Sequence, residues 1–252
     1  MRIGVEIEAE NVDEPFEIEK GVYESDGSLR NNGIEYISNI LPSVQAAKEW
    51  HCDVISKLDD VGAVYSQRCG VHIHMDFSRN MDNVKQFLRN YLTVERYIVS
   101  LLPELRRKST FCLPLLDYDG DFYPLKQFLL NSSTFLLNEC SKYSALNLRP
   151  LGYQGSIEFG MLPTMSDTTL FNTVIDILED CFNTSDVVDI KEKYGISDID
   201  FMEAEAYYKN LTRINRQSDG DYLSDHFDVP RQQQPSGGIT EEMLEQYLAE
   251  VS

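Results

Sequence analysis

Positive charge is what this chain has least of: 22 lysines and arginines stand against 42 aspartates and glutamates, a formal net charge of -20. Such a surplus repels phosphate backbones and anionic lipid headgroups, so neither nucleic acid nor a membrane surface is an expected partner. No run of apolar residues approaches the length of a membrane span, and the opening "MRIGVEIEAE" is not an apolar leader, so a cytoplasmic protein is expected. The five cysteines (52, 69, 112, 140 and 181) are odd in number and form no C-x-x-C pair, which argues against a disulfide framework and against a structural zinc site. They read as reduced thiols, mostly in the core. Neither G-x-x-x-x-G-K-[ST] nor G-x-G-x-x-G occurs, so any nucleotide must be held through metals and arginines instead of a glycine-rich loop.

What is present divides into a body and a tail. Residues 1–214 carry no low-complexity linker and no internal repeat, and are read as one catalytic domain; 215–252 are read as a polar linker and a short C-terminal helix. The linker stretch "QSDGDYLSDHFDVPRQQQPSGG" is rich in turn formers, and Thr240 precedes an amphipathic pattern through Leu244, Tyr247, Leu248 and Val251. Helical periodicity marks 43–60, 82–102, 167–182 and 198–214, the second running from a capping Asp82 to the breaker Pro103. Between them, alternating runs at 2–10, 34–38, 71–77, 144–149 and 156–161 predict strands with one apolar face each. The absence of a steady βαβ rhythm predicts an α+β protein, an antiparallel sheet with helices packed on its apolar face.

The other face is where the chemistry collects. In "GVHIHMDF", His72, His74 and Asp76 alternate with Val71, Ile73, Met75 and Phe77. The first run puts Gly4, Glu6, Glu8 and Glu10 opposite Ile3, Val5, Ile7 and Ala9, and Glu35, Glu158, Asn147 and Arg149 fall on the polar faces of the later runs. Same-face carboxylates about 7 Å apart repel unless the face is well solvated or a cation sits on it. Carboxylates with one or two imidazoles and no thiolate suit Mg²⁺ or Mn²⁺, and Glu8 is expected to sit most centrally. A barrel hydrolase would need more histidines than His51 and His226 supply, and a cupin would need a glutamate where Ser78 stands.

The order of motifs resembles the amidoligase family, a branch of the carboxylate-amine ligases built like glutamate-cysteine ligase and glutamine synthetase. The resemblance rests on Gly4, Glu6 and Glu8 as G-x-E-x-E, on "SDGSL" (Asp26, Ser28) leading to Glu35, on the H-x-H strand, on "LRRKSTFCLPL", and on "YSALNLRPL" and "SIEFGM". It covers about residues 3–175. It implies a glutamine synthetase-like half-barrel of antiparallel strands, with divalent metals between ATP and the acceptor carboxylate. It implies Glu6, Glu8, Glu35, His74 and Glu158 as metal ligands, and ranks His72 behind His74 because strand twist can aim only one imidazole inward. The chain departs from the family pattern at Gly160, where an arginine is expected. Arg149, Arg30 and Arg68 are the candidates to replace it, with Asn147 as a further polar contact to the nucleotide or substrate.

The resulting expectation is an ATP- and Mg²⁺-dependent ligase (Mn²⁺ being the alternative ion) that forms an amide between a glutamate-like carboxylate, free or in a peptide, and an amine. Its general base would be Asp26 or Glu10, and Arg149 would serve at the reacting group. A metal-dependent hydrolase and a catalytically inactive binding protein on the same fold are the alternatives. Cys69 reads as a small core residue. Asp117, Asp119 and Asp121 open like a calcium loop, but Phe128 stands where its closing glutamate belongs.

Overall fold

In the computed structural model, residues 1–213 are described, apart from 79, 111 and 133; the expected linker and C-terminal helix, with His226, lie outside the described residues. The alternating opening run forms β1 (Ile3–Ala9), with Ile3, Val5, Ile7 and Ala9 buried. β2 (Gly21–Ser25) and β3 (Ile34–Ser38) follow, then helix α1 (Val44–Asp60) and β4 (Gly70–Asp76). Next come α2 (Met81–Leu101), the short α3 (Glu104–Arg107) and α4 (Phe122–Asn131). The two-residue β5 (Leu146–Asn147), a turn of helix α5 (Pro150–Tyr153) and β6 (Ser156–Pro163) complete the sheet. The helices α6 (Thr169–Asn183), α7 (Val187–Tyr194) and α8 (Asp198–Thr212) close the unit Met1–Thr212.

The six strands form one open sheet in the order β2-β3-β1-β4-β6-β5, with every neighbouring pair antiparallel. This is the α+β arrangement that the alternating runs imply. Val5, Ile7, Ile73, Met75, Ile157 and Phe159 have lost all contact with water on one face. α2 supplies Tyr91 against Phe159, with ring centroids 6.2 Å apart, and Phe87 against Phe77 at 5.1 Å. On α1, His51 is buried and stacks on Phe171 of α6, so it belongs to the core and not to a site.

Local chemistry sets the element ends. Ser43 caps α1 by accepting from the Ala46 N–H, and Asn80, not the expected Asp82, caps α2 by accepting from Asn83. Asp82 lies in the first turn instead, where a negative charge suits the helix dipole. β2 escaped the sequence reading because it is an edge strand with no buried face and so no apolar alternation. The expected strand over 144–149 shrinks to β5, because Arg149 already has helical backbone angles leading into α5. All five cysteines are free, and four of them are buried.

Glu95, on α2, is a fully buried carboxylate that receives the backbone N–H groups of Leu115 and Leu116, each at 2.8 Å. Burial pushes its carboxyl up to about 7 even against those two donors. It anchors the segment after α3 to the helical layer. Glu95→Ala, which strands both donors, is expected to destabilise the protein by about 2–4 kcal/mol. Glu95→Gln, which keeps a single acceptor oxygen, should cost about half as much. Urea unfolding midpoints measure both, and wild-type stability in the alanine variant would remove Glu95 from this role.

Candidate metal and substrate site

The sheet register assembles the polar face directly. β1 sits between β3 and β4, so Glu8 lies opposite Glu35, Glu6 opposite His72, and Gly4 opposite His74. Across the next ladders, His74 lies opposite Glu158, and Glu158 opposite Asn147. Directly paired residues on one face hold their side chains within contact distance. Glu6 Oε2 is 3.1 Å from His72 Nδ1, and Glu6 Oε1 is 3.1 Å from His74 Nε2. Glu158 Oε1 is 3.7 Å from His72 Nδ1, while its Oε2 accepts from the Asn147 side-chain amide at 2.7 Å.

Glu6, Glu35 and His72 can each present one ligand atom such that all lie within 4.8 Å of one another. Two carboxylate oxygens and one imidazole nitrogen at that spacing fit a single divalent cation, with Glu158 next to His72 as a further oxygen donor. Two expectations about rank change here. Glu6, not Glu8, is the central carboxylate; Glu8 is buried, and its Oε2 accepts the Gly70 N–H at 2.6 Å. Of the two imidazoles, His72 joins the three-residue cluster. His74 Nε2 contacts Glu6 off the hydrogen-bond line, leaving that nitrogen without a hydrogen-bond partner among the described residues.

The remaining candidates spread around this centre. Asp26, half-buried, has both carboxylate oxygens held by Ser28, through its N–H at 2.7 Å and its hydroxyl at 2.9 Å. Glu10 is buried and accepts the Arg30 N–H at 2.9 Å. A cleft of about 350 Å³ is lined by Glu8, Arg68, His72, Asn147 and Glu158. A larger one of about 960 Å³ is lined by Glu10, Arg30 and Arg68. A third, of about 440 Å³, opens at the other end of the face beside Gly4, Glu6, His74 and Asp76. Arg149 lines none of these three clefts, and its Nε donates to the Cys140 carbonyl at 2.6 Å. Asp76 pairs with Arg2 at the rim.

Sequence reasoning passed over Arg106, which lines both of the first two clefts. β6 carries a bulge: between the pairs Val71↔Leu162 and Ile73↔Phe159, His72 on β4 faces both Gly160 and Met161. Arg106 takes the carbonyls of those two residues, through Nε to Met161 at 2.9 Å and Nη2 to Gly160 at 3.0 Å. In "LRRKST" three cations stand in a row, and only the burial of Arg106 beside an exposed Arg107 separates them.

Crowding sets the protonation states. Burial works to raise the Glu6 carboxyl, but its contacts with His72 and His74 hold it well below the usual carboxylate range. Burial, then the neighbouring Glu6 carboxylate, pushes Glu35 up to about 7. Burial alone would lower His72; Glu6, Glu158 and Glu8 outweigh it and lift the imidazole to about 9. His74 is raised for the same reason, and Glu8 is raised chiefly by burial.

The sign of the pH dependence follows. Glu35 and His72 bind their protons more tightly folded than unfolded, so their stabilisation is fully present below the ordinary values of 4.5 and 6.5. It is lost as pH rises through about 7 for Glu35 and about 9 for His72. A metal ion competes with the same protons. Mn²⁺ affinity should therefore rise by up to about tenfold per pH unit between about 7 and about 9, where His72 alone carries a competing proton, and more steeply below about 7, where Glu35 carries one too, with protons released on binding. Calorimetry in two buffers of different ionisation enthalpy reads that release. Glu35→Gln should flatten the acid part of the metal-free melting profile and abolish that share of the protons. A pH-independent Mn²⁺ affinity would count against the cluster.

A family model described as "Putative amidoligase enzyme" matches residues 10–119. The matched stretch contains Asp26, Glu35, His72, His74 and Arg106, and it supports the family resemblance read from the order of motifs. Glu6 and Glu8 precede it, and Asn147 and Glu158 follow it; the sheet register brings them onto the same face. No curated protein matches the chain.

Proposed function

We propose that this chain, similar over residues 10–119 to the amidoligase model, is an ATP-dependent carboxylate-amine ligase on a glutamine synthetase-like half-barrel. Its substrates would be a glutamate-like amino acid or peptide and an amine. The observation that carries this reading is the cluster of Glu6, Glu35 and His72, set in the middle of an open sheet beside an arginine-lined cleft. A hydrolase of the H-x-H type would need more imidazoles than the site offers.

In this reading Glu6, Glu35 and His72 hold a divalent ion, Mg²⁺ or Mn²⁺, with Glu158 oriented toward it by Asn147. When bound, the ion supplies positive charge to the phosphoryl group being transferred. A substrate carboxylate oxygen attacks the γ-phosphorus of ATP and ADP leaves. The amine then attacks the acyl carbon, inorganic phosphate leaves, and a base accepts the amine proton. Asp26 is the better-placed base, because its charge is felt at both Glu8 and Glu35 and Ser28 fixes its orientation. Arg68 lies in the cleft beside His72, where it can neutralise the carboxylate or the phosphate. Glu6 does double duty: it hydrogen-bonds His72 and lies 3.1 Å from His74 Nε2, and these contacts hold its carboxyl well below the usual range.

ATP should raise the melting temperature only when Mg²⁺ or Mn²⁺ is present. ADP release should require both a carboxylate and an amine substrate. Glu6→Gln should lower turnover by at least about 100-fold while leaving the metal-free protein folded. An equal thermal shift with ATP plus chelator would overturn the metal-held site. Turnover without nucleotide would favour a hydrolase, and nucleotide binding without phosphate release from any amine would mark an inactive relative.

A further inference from the structure

Arg106 is a cation that the fold buries without a direct ion pair; the nearby Glu8 carboxylate feels its charge, but that carboxylate is taken by the Gly70 N–H. Arg106 is 8% exposed, and among the described residues it makes no ion pair; only carbonyl oxygens hold it, those of Gly160 and Met161. The comparison with its neighbours is direct: Arg89 is paired with Glu205 and Arg96 with Glu203. A guanidinium is a permanent cation with five N–H donors, and burying one without an anion in direct contact is unfavourable in a folded protein. Nε and one hydrogen of Nη2 are engaged by the β6 carbonyls, which leaves Nη1 and the second Nη2 hydrogen as a fork.

Gly70 makes room for it. A Cβ on Gly70 would stand 2.8 Å from Arg106 Nη2, so a larger residue there would displace the guanidinium. Gly160 leaves open the space over His72, where a Cβ would lie 3.6 Å from the imidazole ring. Arg68 shares with Arg106 the lining of both clefts, and the smaller of these includes His72 and Glu158. In a chain of net charge -20, two arginines at the junction of two clefts are a local exception.

We infer that Arg106, assisted by Arg68, binds an oxyanion of the substrate, a phosphoryl or a carboxylate group, beside the metal cluster. This inference rests on the ligase reading for its biological meaning, but not for its test. The fork geometry suits bidentate contact with either anion.

The experiment titrates sodium pyrophosphate, and separately sodium glutarate, into the full chain by calorimetry, once with saturating Mg²⁺ and once with chelator. Wild type is expected to bind at least one of them, and the arm that binds tells phosphoryl from carboxylate. Arg106→Gln should weaken that binding by at least about tenfold with the circular dichroism spectrum unchanged. Adding Gly160→Arg to Arg106→Gln should recover part of the loss, because it restores a guanidinium to the cleft without restoring the bonds to the β6 carbonyls. A purely structural Arg106 would show no such rescue. Should the glutamine variant not fold, Arg106→Lys keeps the charge but not the fork and should bind at least about threefold more weakly. Wild-type affinity in the folded variant, or no binding of either anion to wild type, overturns the inference. Anion binding through Arg106 without amine-dependent ADP release would sink the ligase reading and leave this one standing.

Discussion

Glu6 standing between two imidazoles is the contact on which the site depends. A sheet face carrying Glu6, Glu8, Glu35 and Glu158 would otherwise be an array of like charges a few ångströms apart. The array is tolerated because each member has a different local answer. Glu6 is neutralised by His72 and His74, Glu8 accepts a backbone N–H, Glu35 keeps its proton near neutral pH, and Glu158 receives the Asn147 amide. None of these answers removes the excess negative charge of the group. A divalent cation would do so in one step, which is why the arrangement reads as a site and not as a solvated surface.

β1 and β4 lie at the middle of the sheet. Their apolar faces are the most completely buried, with Val5, Ile7, Ile73 and Met75 sealed by the helical layer. A central strand cannot slip register without turning these residues outward and the carboxylates inward. Core packing on one face therefore fixes, residue for residue, which acids and imidazoles meet on the other. The helices stand behind the chemistry: Tyr91 supports Phe159, the neighbour of Glu158, and Glu95 ties the chain after α3 to α2.

Much of this was legible in the alternation of single strands. Glu6, His72, His74 and Glu158 each sit opposite buried apolar partners, so a period of two placed all four on a common face before any pairing was known. What alternation cannot convey is register, and register decided that Glu6 rather than Glu8 touches both histidines and that His72 rather than His74 joins Glu35. β2 was invisible for the opposite reason, since a strand exposed on both faces has no pattern to show. Arg149 looked like a site residue as long as 144–149 was taken for a strand. The helical turn at Pro150 redirects it, and its guanidinium binds the Cys140 carbonyl.

Arg106 shows how far a site can lie from its sequence signal. Nothing in "LRRK" marks one arginine over the next, and nothing in "EFGM" announces a bulge. The bulge turns two carbonyls of β6 toward α3, and a four-residue helix following Pro103 is enough to bring a guanidinium to them. A glycine at 160, read alone, suggests a lost cation. Yet a guanidinium from α3 lies against Gly70 and bonds the Gly160 carbonyl, so the cleft carries a cation from another element. Charge in such a cleft is therefore a property of the assembled fold, because side chains of different elements can occupy the same few cubic ångströms. The absence of a residue type at one position gives no measure of the chemistry available there.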